Sequence, residues 1–301
     1  MGSIVRVVEV GPRDGLQNER EIIDTAGKIA LIARLIDAGA RRIEVASFVN
    51  PRRVPQMADG DAVIASLPDR SDVSYIGLCL NLRGVERAIA SRDGAARGVD
   101  EAGCVLVASD TFGIRNQGQT IVDGIAANRD MLAAATRAGL VPQVTISAAF
   151  GCPFEGHVPP QRVVELAKAM AEAGAVEIAL ADTIGVGVPS QVTDLFGAVA
   201  AAVPGIRLRA HFHDTRGTGI ANAWAAYNAG VQVLDASIGG IGGCPFAPKA
   251  TGNIATEDLL YLLENSGVRT GVDLTAMIGV NRWFAGILGR DLPSRVARAA
   301  A

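Results

Sequence analysis

The sequence contains only four cysteines among its 301 residues, and no two of them form a CxxC pair. Cys79, Cys104, Cys152 and Cys244 are too sparse to build a disulfide scaffold in a chain of this length. We therefore expect free thiols and a reducing, cytoplasmic environment. The sequence also lacks an unbroken apolar run of about 18 residues, which argues against a membrane span. It begins with a short β-type run and not with the features of a signal peptide.

The sequence also lacks a large excess of charge of either sign. Lys and Arg total 28 and Asp and Glu total 31, which gives a formal net charge of -3. The basic residues are scattered, so no basic stripe is available to neutralise the phosphates of DNA or RNA. The composition, 49% hydrophobic and 20% charged, is typical of a globular protein. We expect no nucleic acid partner, whereas the composition is compatible with an anionic small molecule held by a few local arginines.

Short β-branched runs alternate with Ala-rich and Leu-rich amphipathic stretches along the chain, giving eight β-then-α units. The strands are predicted at 4–10, 41–47, 73–80, 103–109, 142–150, 176–182, 206–213 and 232–238, and the helices at 24–38, 59–66, 83–93, 120–138, 158–174, 189–203, 218–230 and 256–266. This pattern favours an α/β fold, a closed (β/α)8 TIM barrel in a single catalytic domain, 1–301, with residues 275–301 as an additional helical tail. An open doubly wound sheet is the alternative, but no GxGxxG follows the first strand.

The active site of such a barrel lies where the C-terminal ends of the strands meet, and the strongest signal there is the pair His211 and His213. Side chains two residues apart in a strand point to the same face, roughly 6.5–7 Å apart, so both imidazoles can bind one ion. Two histidines that are merely hydrogen-bonded in a polar barrel end are the alternative.

Acidic and amide side chains close other strands or follow them. Asp14, Glu44 and Asp182 end the first, second and sixth strands, and Asn253 precedes the last barrel helix. Carboxylates, imidazoles and an amide oxygen without thiolate favour Mg²⁺ or Mn²⁺ over a structural zinc. Any one of these carboxylates could instead cap a helix or join an ion pair, and Asn253 could be a loop or capping residue.

Two further features are suited to catalysis. Arg13 stands beside Asp14, where a fixed guanidinium would stabilise the negative charge that develops on an enolate oxygen, although it could simply balance the acids. The glycine-rich segment 239–243 follows the eighth strand and places Cys244 in a loop that can approach a ligand closely. A thiol there could exchange a proton with a substrate, whereas a structural turn with an incidental thiol is the alternative.

Taken together, the motifs resemble hydroxymethylglutaryl-CoA lyases, and they occur in the order found in that family. They are residues 8–19 (VEVGPRDGLQNE), 47–57 (SFVNPRRVPQM), 151–156 (GCPFEG), 182–187 (DTIGVG), 211–215 (HFHDT) and 242–246 (GGCPF).

The resemblance implies a set of site residues and a reaction. It implies that the ligands of a divalent cation are Asp14, His211, His213 and Asn253, and that the other catalytic or polar site residues are Arg13, Glu44, Asp182 and Cys244. It further implies retro-Claisen cleavage of an acyl-CoA substrate, with Asp14 or His211 as the base. Barrel lyases of this sort often dimerise, and by analogy we expect a homodimer or a higher homo-oligomer here.

The sequence also departs from the family at several positions. The loop reads SIGGIGGCPF where SVAGLGGCPY is usual, and DTRGTG follows the histidines where a tyrosine and a glutamine are more usual. Residues 109–119 (SDTFGIRNQGQ) also differ from the animal enzymes, so Arg115 in that segment and Arg216 after the histidines are candidates for altering the acyl group that is accepted. Citramalyl-CoA and longer-branched glutaryl-CoA thioesters are alternative substrates. An acyltransfer synthase of the isopropylmalate or homocitrate type and a pyruvate-type aldolase are the competing enzyme classes.

Overall fold

Eight parallel strands close into one barrel, in the order in which they occur along the chain. The structure is a computed structural model that describes residues 4–93, 97–243 and 252–300. The strands are β1 (Arg6–Glu9), β2 (Arg42–Ser47), β3 (Ser74–Cys79), β4 (Glu101–Val107), β5 (Val141–Ser147), β6 (Glu177–Asp182), β7 (Arg207–Phe212) and β8 (Val233–Ala236). The predicted (β/α)8 barrel is confirmed, and the open sheet is excluded because β1 pairs with β8.

Helices follow each strand and surround the barrel. They are α1 (Thr25–Asp37), α2 (Gly60–Ala65), α3 (Leu82–Ala90), α4 (Asp110–Gln117), α5 (Ile121–Arg137), α6 (Pro160–Glu172), α7 (Pro189–Ala202), α8 (Gly219–Asn228), α9 (Thr256–Asn265), α10 (Leu274–Leu288) and α11 (Arg295–Ala299). Within the described ranges, no helix is both long and apolar enough to cross a membrane.

The sequence pattern did not predict helix α4, which lies between β4 and α5. It begins after Ser109, whose hydroxyl accepts the Phe112 amide N–H, and it ends at Gly118, where φ is +74°. It buries only Phe112 and Gly113, so it lacks the apolar stripe by which a surface helix is recognised in a sequence. Local capping at both ends, and not amphipathic periodicity, defines this helix.

The strands alternate between two environments. Val7 on β1 joins the large apolar layer between the barrel and its helices, whereas Val8 and Val10 join a small apolar cluster inside the barrel. This alternation follows from the two-residue period of a strand. Side chains that point inward from the strand ends therefore face the barrel axis, where the predicted site residues lie.

The floor of the barrel is a buried network of charges. Arg42, at the start of β2, donates two hydrogen bonds to Glu101 on β4 and two to Glu177 on β6, at 2.5 to 2.8 Å. Inward side chains from alternate strands form one layer, as is usual in such barrels. Burial opposes the charged form of Arg42, but the two carboxylates outweigh it and raise its pKa. The layer is therefore held by a cation shared between two anions.

We predict that Arg42→Met lowers the free energy of unfolding by about 3–5 kcal/mol, since it leaves the buried Glu101 without a cation and Glu177 with only the longer contacts to Arg207 and Arg209. Urea unfolding followed by circular dichroism measures the change. Arg70→Met is the matched control, because Arg70 pairs with Asp72 on the surface and its loss should leave stability nearly unchanged. Equal stabilities of the two variants would contradict a structural role for the floor network.

Candidate active site

Arg13 and Asp14 lie in a tight turn directly after β1. Residues Gly11–Gly15 form one turn of π-helix, in which the Val10 carbonyl accepts the N–H groups of Arg13, Asp14 and Gly15 at 3.2, 2.8 and 3.1 Å. Turns of this kind are frequent at functional sites, because they direct adjacent side chains away from the regular helical path. The turn holds both charged side chains at the mouth of the barrel.

Arg13 is shared between two carboxylates. Its Nη1 lies 2.6 Å from Asp14 Oδ1, and its Nη2 lies 2.6 Å from Glu44 Oε2 at the middle of β2. Burial alone would lower the pKa of Arg13, but Glu44 and Asp14 raise it above its usual value. For the carboxyl group of Glu44, burial raises the pKa, and the positive charge of Arg13 acts in the opposite direction. The guanidinium is therefore fixed as a cation in the barrel mouth.

Asp14, His211 and His213 form a cluster whose ligand atoms all lie within 4.8 Å of one another. The two imidazole rings are 5.2 Å apart between centroids. Burial and the neighbouring His211 lower the pKa of His213 to about 4, so this ring is neutral near neutral pH. Its Nδ1 is buried without a hydrogen-bond partner. A neutral imidazole with a free lone pair beside a carboxylate suits a divalent cation, so these residues fit a metal site.

Asp235, on β8, orients His211 and was not identified from the sequence. His211 Nδ1 lies 3.1 Å from Asp235 Oδ2, and Arg209 Nε lies 3.2 Å from Asp235 Oδ1. Burial would lower the pKa of His211, but the hydrogen bond to Asp235 raises it above its usual value. A carboxylate on Nδ1 directs Nε2 of the ring toward Asp14, 4.0 Å away. Asp235 could have been identified from the sequence because it is an acidic residue within the apolar residues of β8.

Asn253 joins the cluster from the other side. Its Nδ2 donates to Asp14 Oδ2 at 2.9 Å, and its backbone forms a bridge with His213. Its N–H also donates to the Gly242 carbonyl at 3.1 Å. A Cβ on Gly252, where φ is +52°, would lie 1.7 Å from that carbonyl oxygen, so only glycine fits there. This close approach brings Asn253 against Asp14.

The last two predicted site residues are Asp182 and Cys244. Asp182, at the end of β6, is fully buried, and its two oxygens accept the N–H groups of Val186 and Gly187 at 2.9 and 2.8 Å. Burial raises its pKa, and the hydrogen bonds from Val186 and Gly187 act against that rise. Asp182 therefore shapes the loop after β6 and is not part of the three-residue cluster. Cys244 lies outside the described residues.

The sequence matches the family model described as HMGL-like over residues 4–283. It is similar to the (R)-citramalyl-CoA lyase of Chloroflexus aurantiacus, with 44% identity over 98% of this chain and 94% of that protein. It is also similar to the 3-hydroxy-3-isohexenylglutaryl-CoA/hydroxymethylglutaryl-CoA lyase of Pseudomonas aeruginosa, with 43% identity over 98% of this chain and 96% of that protein.

The fold is similar to that of an HMG-CoA lyase from Acinetobacter baumannii in complex with coenzyme A and 3-methylmalate. The TM-score is 0.92 at 38% sequence identity, and the match covers 98% of this chain and 95% of that chain. The similarity therefore extends over nearly the whole of both chains.

We predict that Asp235→Asn weakens the binding of Mn²⁺ by about 10-fold to 100-fold, because the neutral amide no longer holds the His211 ring as a carboxylate does. Electron paramagnetic resonance of free Mn²⁺ during a titration measures the dissociation constant. Asp194→Asn, an exposed substitution on α7, is the control and should bind as the wild type does. A folded Asp235→Asn protein with unchanged affinity would remove Asp235 from the metal site.

Proposed function

The chain belongs to the HMGL-like family, and on that basis we propose that it is a divalent-metal-dependent lyase that cleaves 3-hydroxy-3-methylglutaryl-CoA to acetyl-CoA and acetoacetate. The resemblance found in its motifs is confirmed, and its close relatives are carbon–carbon lyases. The observation that carries the proposal is the Asp14, His211 and His213 cluster beside the fixed guanidinium of Arg13. This arrangement combines a cation site with a positive charge for an enolate oxygen.

The proposed substrate is an acyl-CoA thioester with a tertiary hydroxyl group. One relative is named for two glutaryl-CoA substrates, and a similar solved structure contains coenzyme A, which supports this class. Citramalyl-CoA is the second candidate, because the relative from Chloroflexus aurantiacus, at 44% identity, is named for it. Both thioesters would be cleaved by the same bond-breaking step, so the choice between them depends on recognition of the acyl group.

The proposed cation is Mg²⁺ or Mn²⁺, held by Asp14, His211, His213 and the amide oxygen of Asn253. Oxygen and imidazole donors without thiolate favour these ions. When bound, the cation supplies Lewis acidity toward the hydroxyl and carboxylate oxygens of the substrate. The buried, unpartnered Nδ1 of His213 supports the assignment, since such an atom is costly without a ligand.

The side chains of the site would divide the reaction among them. Asp14 or His211 takes the proton of the tertiary hydroxyl, and the resulting carbonyl forms as the bond to the thioester α-carbon breaks. The electron pair of that bond becomes the enolate of acetyl-CoA, and Arg13 faces the enolate oxygen. Glu44 holds Arg13 in place through the 2.6 Å ion pair. Cys244 donates the proton that converts the enolate carbon to a methyl group.

Two further expectations remain proposals. The whole chain, 1–301, would act as one catalytic domain in which residues 275–301 are an extra helical tail. The protein would also assemble as a homodimer or a higher homo-oligomer, as closed symmetric assemblies of soluble enzymes commonly do.

We predict cleavage of 3-hydroxy-3-methylglutaryl-CoA that requires Mg²⁺ or Mn²⁺ and is abolished by EDTA. Purified protein is incubated with this thioester, citramalyl-CoA and a longer-branched glutaryl-CoA, and the acyl-CoA products are identified by mass spectrometry. Cleavage of another thioester alone would keep the reaction and replace the substrate. Inactivity toward all three would contradict the proposal and favour a condensing enzyme or an aldolase that does not use CoA.

Matched histidine variants control this assay. His213→Ala should lose both the ion and turnover, because His213 contributes a neutral imidazole to the cluster. His157→Ala should behave as the wild type does, since His157 is exposed in the loop before α6. Stoichiometric metal retained by His213→Ala would refute the ligand assignment.

We predict that Cys244→Ala lowers turnover while metal content stays unchanged, because the thiol is proposed to move a proton and not to bind the ion. Turnover is measured by release of acetyl-CoA, and metal content by elemental analysis of the same samples. Cys104→Ala is the control, since Cys104 is fully buried in β4. Turnover equal to that of the wild type would exclude the Cys244 thiol from the mechanism.

A further inference from the structure

Glu9 is a buried carboxylate in a layer that is formed mainly by apolar side chains. Val8 and Val10 point into the barrel, so Glu9 points outward between the barrel and its helices, where it is 1% exposed. Within the described part of the chain, no arginine or lysine lies within ion-pair distance of it. An acid in this position must be satisfied by hydrogen-bond donors, because burial without partners is strongly unfavourable.

The donors come from three separate segments. Glu9 Oε1 accepts the N–H of Gly11 and the N–H of Ile238, each at 2.8 Å, and Oε2 accepts the hydroxyl of Thr256 at 2.7 Å. Gly11 opens the turn that carries Arg13 and Asp14. Ile238 opens the glycine-rich segment after β8. One carboxylate oxygen thus joins the two segments that border the cluster of Asp14, His211 and His213, called the cation cluster below.

The two segments touch closely at Gly11. A Cβ on that residue would lie 2.6 Å from Glu9 Oε1 and 2.7 Å from Ile238 Cγ2. Gly11 does not have a positive φ, so it is close approach and not backbone conformation that requires glycine there. No side chain fits between the Glu9 carboxylate and the backbone it holds.

The same two segments meet again at the cation cluster. A Cβ on Gly242 would lie 3.0 Å from the Asp14 carbonyl oxygen and 2.7 Å from Asn253 Nδ2. The Gly242 carbonyl in turn accepts the N–H of Asn253. Only a few residues therefore separate the Glu9 contacts at Gly11 and Ile238 from Asp14 and from the contact between Gly242 and Asn253.

We propose that Glu9 is a positioning residue that sets the geometry of the cation site by holding Gly11 and Ile238 on one oxygen. The inference rests on the proposed function only in taking Asp14 and Asn253 as ligands of the cation. Glu9 acts as an acceptor of two backbone N–H groups, so its role needs an oxygen in this place and does not need a negative charge. Burial raises the pKa of Glu9 to about 7, and its neutral form is therefore accessible near neutral pH.

Two substitutions separate the acceptor from the charge. Glu9→Gln keeps an oxygen that can accept from both N–H groups, whereas Glu9→Leu keeps a side chain of similar size and removes the acceptor. We expect Glu9→Leu to raise the dissociation constant of Mn²⁺ by at least about tenfold and Glu9→Gln to stay near the wild-type value. Electron paramagnetic resonance of free Mn²⁺ measures both, and circular dichroism establishes that each variant is folded.

Gly11→Ala tests the same spacing without changing Glu9. The added methyl group would press on Glu9 Oε1 and on Ile238, so this variant should also weaken Mn²⁺ binding by about tenfold or more. Gly197→Ala on α7, where a methyl group meets open space, is the control and should bind normally. If Glu9→Leu fails to fold, Gly11→Ala decides the question.

Wild-type affinity in a folded Glu9→Leu protein, or in Gly11→Ala, would overturn the proposal. Equal weakening by Gln and Leu at position 9 would overturn it as well, because the charge and not the acceptor would then matter. Failure of the substrate assay has a different signature. In that case the wild type cleaves none of the thioesters, while the order of Mn²⁺ affinities among the variants is unchanged.

Discussion

Every charge inside this barrel needs a partner, because the strands close around the side chains and keep them from bulk water. At the floor, all four hydrogen bonds that Arg42 donates end on Glu101 and Glu177. At the mouth, Arg13 is paired with two carboxylates, but Nδ1 of His213 is buried without a partner. Arg42 is therefore fully paired, whereas the cluster at the mouth leaves a buried nitrogen that a bound ligand can satisfy. The arrangement of charges, more than the shape of the mouth, marks the site.

Asp235 links the two ends of this charge distribution. It lies between Arg209, whose Nη1 also contacts Glu177 in the floor network, and His211 in the cluster at the mouth. A histidine oriented only by a ligand would be free to rotate when that ligand leaves. A histidine hydrogen-bonded to a carboxylate that is itself paired with a buried arginine keeps its orientation. The rigidity of the floor is thereby extended to the site.

The barrel and most of the cluster were predictable from the sequence because both depend on local patterns. Each strand and each amphipathic helix is recognised from its own residues, and the ends of parallel strands must meet at one edge. Arg13, Asp14, His211, His213 and Asn253 accordingly come together in the structure. No helical periodicity indicated α4, since that helix buries only two residues.

The residues that were missed, or whose contacts could not be assigned, depend on partners far away in the chain. Glu44 and Asp182 gave the same signal, an acid at or near a strand end, yet Glu44 pairs with Arg13 and Asp182 binds two backbone N–H groups. Glu9 meets Ile238 across the closure of the barrel, and Asp235 meets His211 across one strand pair. The residue type alone does not predict the contacts of these acidic side chains, because each contact depends on which donor the fold places beside the carboxylate.

For the same physical reason, the proposed reaction is better defined than the acyl group of its substrate. The cation cluster is held by strand ends and by turns tied to them, so its geometry follows from the barrel. The two arginines expected to affect substrate choice lie instead in loops or on a small helix, and both already have partners. Arg216 donates to the carbonyls of Ile184 and Gly185, and the Arg115 guanidinium lies 4.3 Å from the centre of the Phe154 ring. A substrate carboxylate would compete with contacts that shape these loops, so a change at either arginine would alter loop structure and recognition together.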